Sequence, residues 1–216
     1  MDDTSFRGWT RPGSRPSGGP PPEPGETLDF LCGHWRIYQL AKGHRFSVDD
    51  LLVAWFGTTR APRAERVADL GSGIGSVALA SAWRLPGARF VTVEAQAVSL
   101  GLARRSAAFN GISDRFTQLE GDLRETAPLE ALGPFDLITG SPPYWPLGSR
   151  SEAAHPQAVP ARLEVRGTIA DYAQAAGHLL APGGLFACVF PNDQEARARA
   201  AFDEAGLLLV HRQEVI

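Results

Sequence analysis

Apolar residues in this chain follow two alternating rhythms from residue 66 onward. The runs RVADLGSG, RFVTVE, RFTQLEGD, FDLITGS and LFACVF are short and bounded by turn residues, which predicts buried or half-buried strands. Between them, GSVALASAWR, AVSLGLARRSAAFNG and TIADYAQAAGHLL space their apolar residues three and four apart, as a helix with one buried face requires. Asn110-Gly111 and Pro182-Gly183-Gly184 are the expected helix stops, because a left-handed cap or a proline ends the ladder. A helix over 193–206 and a terminal strand, LLLVHRQEVI, complete the pattern, and an amphipathic helix begins near Val48. Strands alternating with helices at this spacing predict an α/β fold: a doubly wound, mostly parallel sheet with helices on both faces.

The start of the chain breaks this rhythm. Residues 11–25 hold six prolines and four glycines in fifteen positions. Too little apolar surface exists there to offset ordering entropy, so 1–26 is expected as a disordered tail and 27–216 as the folded domain. No run of eighteen apolar residues occurs, and no apolar segment follows the acids Asp2 and Asp3, so neither a membrane span nor a secretion signal is expected. Cys32 and Cys188 are far apart in sequence and read as reduced thiols of a cytoplasmic protein, without a metal site. The formal net charge of -3 argues against a general phosphate binder.

The chemistry concentrates at strand ends. DLGSGIG, Asp69 to Gly75, follows one predicted strand and opens a helix. Gly71, Gly73 and Gly75 let the backbone bend sharply and approach a ligand, although the same turn can serve only to pack strand on helix. Glu94 ends the next strand, and Asp122-Leu123 follow the one after, so three acids fall at the ligand-binding edge of a parallel sheet. A carboxylate at Asp69 would repel a pyrophosphate. It favours a cationic ligand, and S-adenosylmethionine (SAM) carries both an ammonium and a sulfonium. Asp69 is then expected to hold the amino end, Glu94 the ribose hydroxyls and Asp122 the adenine amino group.

A fourth predicted strand runs into Ser141-Pro142-Pro143-Tyr144-Trp145. Two prolines make a stiff corner, and the two rings that follow offer flat apolar surfaces at the ligand edge. A base stacked on such a ring gains about 1–3 kcal/mol.

The order DLGSGIG, Glu94, then GDL at 121–123 resembles the class I SAM-dependent methyltransferases, over roughly 66–190. The resemblance implies a Rossmann-like sheet of seven strands, the last antiparallel; this chain stops at Ile216, so that strand is expected to be missing or to lie outside it. The proline corner resembles the (N/D/S)-P-P-(Y/F/W) motif of amino-methyltransferases, which methylate the exocyclic nitrogen of adenine or cytosine or the amide of glutamine. In such sites residue 141 and the Pro142 carbonyl accept hydrogen bonds from the target amine. Its lone pair then points at the methyl group, with no covalent intermediate. Serine stands here in place of the usual asparagine, a form shared with cytosine-N4 DNA enzymes.

Two flanking stretches resemble the bacterial tRNA(Val) adenine-N6 methyltransferases. Gln39, Gly43, Arg45, Phe46, Ser47 and Asp49 match a Q-x-x-x-G-x-R-F-S-x-D segment that covers the methyl donor in that family. Ala161, Arg162 and Glu164 match A-R-x-E, with Leu163 at the family's histidine. The loop after the corner carries Arg150, Arg162 and Arg166, which with Trp145 are candidate substrate contacts. The resemblance therefore implies adenine N6 in tRNA as acceptor and a nucleic acid as partner, the chain acting as a monomer or weak dimer. DNA bases, a protein amide and a small molecule remain alternatives, as does a SAM-fold module without catalysis.

Overall fold

The computed structural model of this protein describes residues 5–6, 8–146 and 155–215. Short strands β1 (Ser5–Phe6) and β2 (Trp9–Thr10) pair with each other, and a hairpin of β3 (Glu26–Cys32) and β4 (Trp35–Leu40) follows. The body then runs α1 (Val48–Arg60), β5 (Arg66–Leu70), α2 (Ser76–Arg84), β6 (Arg89–Glu94), α3 (Ala97–Phe109), β7 (Phe116–Glu120) and the one-turn α4 (Ala127–Glu130). It continues through β8 (Phe135–Gly140), the short α5 (Val159–Arg162), α6 (Ile169–Leu179), β9 (Leu180–Cys188) and α7 (Glu195–Glu204).

The five later strands form one sheet in the order β7-β6-β5-β8-β9, with every neighbouring pair parallel. β5 is central, and the chain leaves it first toward β6 and later toward β8. The carboxyl end of β5 is therefore the switch point where such sheets bind ligands. Alternation along β5 feeds two cores. Val67 packs with Ile74, Leu79, Phe90 and Leu137 on one face, while Ala68 and Leu70 pack with Val93, Ile138, Tyr172 and Leu179 on the other. Both faces of the sheet are dry, as a parallel sheet between helices demands.

Three expectations are corrected. First, the prolines and glycines of residues 11–25 do not leave the tail free: Gly18 N–H donates to Phe109 O at 3.0 Å, the Tyr38 hydroxyl donates to Pro20 O, and Arg11 lies 3.6 Å over the Phe30 ring. Proline has little backbone freedom to lose, so these contacts suffice to hold residues 8–25 against the body. Second, residues 207–215 form no strand. Arg212 pairs with Glu195 at 3.0 Å and bonds Asn192 at 2.7 Å, which draws the segment toward α7, and among the described residues no strand pairs with the outer edge of β9. Third, Pro182-Gly183-Gly184 lie inside β9, at a register shift against β8, and α6 ends before them.

Candidate functional site

A cavity of about 530 Å³ opens at the carboxyl ends of β5, β6 and β8. Its walls bring together most of the expected residues: Arg45, Ser47, Asp69, Gly71, Gly73, Glu94, Asp122, Leu123, Ser141, Pro142, Pro143, Tyr144, Trp145 and Arg166. Phe46 packs on the core and Gly75 caps α2, so neither reaches the cavity wall. Arg150 and the side chain of Arg162 fall outside the described residues.

The glycine turn separates into three physical reasons. Gly71, at φ +59°, leaves room for the Tyr172 hydroxyl, with which any Cβ would collide. Gly73, at φ +54°, faces open space and donates its N–H to Glu94 Oε2 at 2.9 Å. Gly75 lets α2 approach Ala103 of α3. Gly71 and Gly73 both face the cavity, the first also making room for Tyr172, while Gly75 serves packing.

Burial of acid dominates the electrostatics. Asp69 is 1% exposed, its Oδ1 accepts from the Thr139 hydroxyl at 2.7 Å, and its Oδ2 has no hydrogen-bond partner among the described residues. Burial pushes its carboxyl up to about 7, opposed by the Thr139 bond and the nearby Ala78 backbone N–H and reinforced by nearby Asp50 and Glu94. Asp50 was not singled out in the sequence. Its position in the first turn of α1 is the only signal. Asp50 Oδ2 accepts from Ser47 N–H at 3.1 Å and from the Ser76 hydroxyl at 2.8 Å, and burial raises its carboxyl as well. Glu94, also raised by burial, takes Gln96 N–H at 2.7 Å on its second oxygen. Three buried carboxylates with one orphaned oxygen fit a cationic ligand far better than a phosphate. The pocket therefore suits the ammonium of SAM.

Two expected ligands are already engaged. Arg124 forks onto Asp122, with Nε at 2.9 Å, and holds that carboxyl below its usual range. Arg166 donates to Ala95 O at 2.9 Å and lies beside Glu94, on the acid side of the cavity. The flanking segment braces itself. Gln39 links Asp29 at 2.9 Å to the Phe46 N–H at 3.1 Å, and Arg45 pairs with Asp29 at 2.9 Å. Gln157, buried after the corner, bonds His44 N–H at 2.5 Å and Ser99 at 3.0 Å, closing one side of the cavity.

At the proline corner, Pro142 and Pro143 are buried, while Ser141, Tyr144 and Trp145 are partly open. The Tyr144 hydroxyl donates to Asp49 Oδ2 at 3.0 Å, and its ring meets Phe190 edge-on at 5.9 Å. Glu164 of the A-R-x-E segment pairs with Arg197 at 2.5 Å, and that guanidinium lies 5.7 Å over Phe190. Burial pushes both thiols up to about 12, so neither is a ready nucleophile. Among the described residues, no group of His, Cys, Asp and Glu is arranged to hold a metal ion, and no helix is long and apolar enough to cross a membrane.

A parallel β7-β6-β5-β8-β9 sheet with this acid crevice at its switch point defines the Rossmann-like methyltransferase fold. Residues 47–205 match the methyltransferase small domain family, and the chain belongs to it. It is 33% identical to a tRNA1(Val) (adenine(37)-N6)-methyltransferase of Porphyromonas gingivalis, over 76% of this chain and 66% of that protein. Identity is 35% to the release factor glutamine methyltransferase of Bordetella pertussis, over 87% and 73%. It is also 35% to the 4-amino-L-phenylalanine/4-methylamino-L-phenylalanine methyltransferase of Streptomyces pristinaespiralis, over 68% and 51%. The chain spans 28 to 66% of the length of the first four curated relatives it matches. A solved SAM-dependent methyltransferase from Agrobacterium tumefaciens shares the fold at TM-score 0.61 and 15% identity, covering 85% of this chain and 58% of that one.

Proposed function

We propose that this protein is a SAM-dependent N-methyltransferase whose acceptor is a planar, conjugated amino group, with adenine N6 of a tRNA as the first choice. One observation carries the reading: the orphaned Asp69 oxygen and the Ser141-Pro142-Pro143-Tyr144 corner share one cavity. When bound, SAM supplies an electrophilic methyl group on a sulfonium. Asp69, with Asp50 behind it, offers the buried negative charge that an ammonium needs, and Glu94 offers lone pairs to ribose hydroxyls. Ser141 and the Pro142 carbonyl take the two N–H bonds of the acceptor, which frees its lone pair, and Tyr144 stacks on its ring.

The activities for which the three relatives are named share a chemical feature, since adenine N6, a glutamine amide and an aniline nitrogen are all conjugated amines. The resemblance of the segments at 39–49 and 161–164 to the tRNA(Val) adenine-N6 enzymes favours the tRNA acceptor. An anticodon loop presents an unpaired base, so no duplex needs opening. The glutamine reading is the rival, favoured by a match covering 73% of that relative. The test incubates the protein with tritiated SAM and, separately, total tRNA, release factors, 4-amino-L-phenylalanine and DNA. Label in tRNA, recovered as N6-methyladenosine on nucleoside analysis, is expected. Label in release factor alone would replace the acceptor, and label in none would remove the enzymatic reading.

A further inference from the structure

Serine at 141 poses a chemical problem that an asparagine carbonyl does not. A carbonyl oxygen only accepts, whereas a hydroxyl both donates and accepts. If the Ser141 proton pointed at the incoming amine, it would bond the very lone pair that must attack the methyl group. The structure holds a device that removes this ambiguity. Tyr144 Oη donates to Asp49 Oδ2 at 3.0 Å, and the Ser141 side chain, three residues back along the same corner, lies near enough to the phenol to act on it as a donor. All three side chains line the cavity.

We infer that Asp49, acting through Tyr144, orients the Ser141 hydroxyl so that its lone pairs face the acceptor amine. An ionised carboxylate can only accept, so it commits the one proton of Tyr144. The phenol oxygen is then free to accept the Ser141 proton. With that proton turned away, Ser141 presents lone pairs alone to the cavity, as a carbonyl would. Asp49 stands in the first turn of α1, so the helix backbone fixes where its carboxylate meets the phenol. The edge-on contact with Phe190 at 5.9 Å keeps the Tyr144 ring from swinging out of the chain. Asp49 is thus a positioning residue, three hydrogen bonds removed from the reacting nitrogen, and it makes serine usable at this corner. The inference rests on the amino-acceptor reading above.

Asp49→Asn tests it, because the amide N–H can donate to the phenol and so reverse the direction of the chain while keeping the shape. In the Ser141 protein this change is expected to lower kcat roughly tenfold, the worth of one misdirected hydrogen bond, with SAM affinity unmoved. With Ser141→Asn already present, the same change is expected to lower kcat by less than about twofold, because a carbonyl accepts whatever its neighbours do. Equal losses in the two backgrounds, at matched thermal midpoints, would make Asp49 merely structural and overturn the inference. A second readout needs no turnover. Proton NMR of the ligand-free protein should show a downfield Tyr144 hydroxyl signal that Asp49→Asn removes, and an unchanged spectrum would also overturn it. If the wild type methylates no amino acceptor at all, the acceptor reading falls and this inference falls with it; transfer with equal losses sinks the inference only.

Discussion

The two halves of the cavity are built on opposite principles. On the donor side, Asp50, Asp69 and Glu94 are buried acids raised by desolvation, and the Asp69 Oδ2 oxygen lacks a hydrogen-bond partner among the described residues. On the acceptor side the polar group is already paired: the Tyr144 hydroxyl with Asp49. The donor side stores an electrostatic deficit that a positive ligand relieves. The acceptor side stores geometry, which suits a neutral amine whose reactivity depends on the direction of its hydrogen bonds. Charge unpaid in one half and direction fixed in the other divide the labour between binding and turnover.

The largest effect expected from this division belongs to Asp69→Ala. Removing the orphaned carboxylate should weaken SAM on the order of a hundredfold, the worth of a buried charged hydrogen bond. Calorimetry checks it, and unchanged affinity would dissolve the donor half. Tyr144→Ala should lower kcat by about ten- to a hundredfold, as loss of a stacking ring does, while SAM affinity moves little. Parallel losses in turnover and affinity would merge the two halves into one.

A smaller effect concerns pH. Asp69 carries a proton up to about pH 7 when the cavity is free, and the cationic end of SAM requires it ionised. Affinity should therefore fall about tenfold from pH 8 to pH 6 by linkage, with Asp50 and Glu94 titrating in concert. The sign for folding is opposite. Between its ordinary value and about 7, the native Asp69 holds a proton that the unfolded chain has lost, so stability of the ligand-free protein declines as pH rises through that window. A flat affinity from pH 6 to 8 would remove Asp69 from the ammonium seat. The smallest effect is expected from Arg124→Ala. It frees Asp122 at the donor rim and should change SAM affinity by less than about threefold, since the pair is solvent-screened.

What the sequence disclosed follows the same division. Strand ends placed Asp69, Glu94 and Asp122 on one edge because a parallel sheet has only one edge for them, and the motif at 141–145 announced its stiffness through its prolines. Partners between distant segments were not legible. Nothing in the pattern pairs Tyr144 with Asp49, or sets Asp50 against Asp69, since those contacts exist only once α1 packs against α2, β8 and β9. The glycine turn misled in detail, because Gly71 answers to Tyr172, a residue of α6. The tail at 8–25 was misjudged on composition, which cannot register that proline-rich backbone is inexpensive to order. LLLVHRQEVI has strand-like periodicity, yet Arg212 finds Glu195 and Asn192 in preference to a strand partner.

The central claim is that the acid crevice at the end of β5 receives a positively charged methyl carrier. Calorimetric titration of the protein with SAM and, separately, with NAD tests it most directly. Saturable binding of SAM that Asp69→Asn abolishes, with no heat from NAD, is the predicted result; tight NAD binding that survives Asp69→Asn would contradict it.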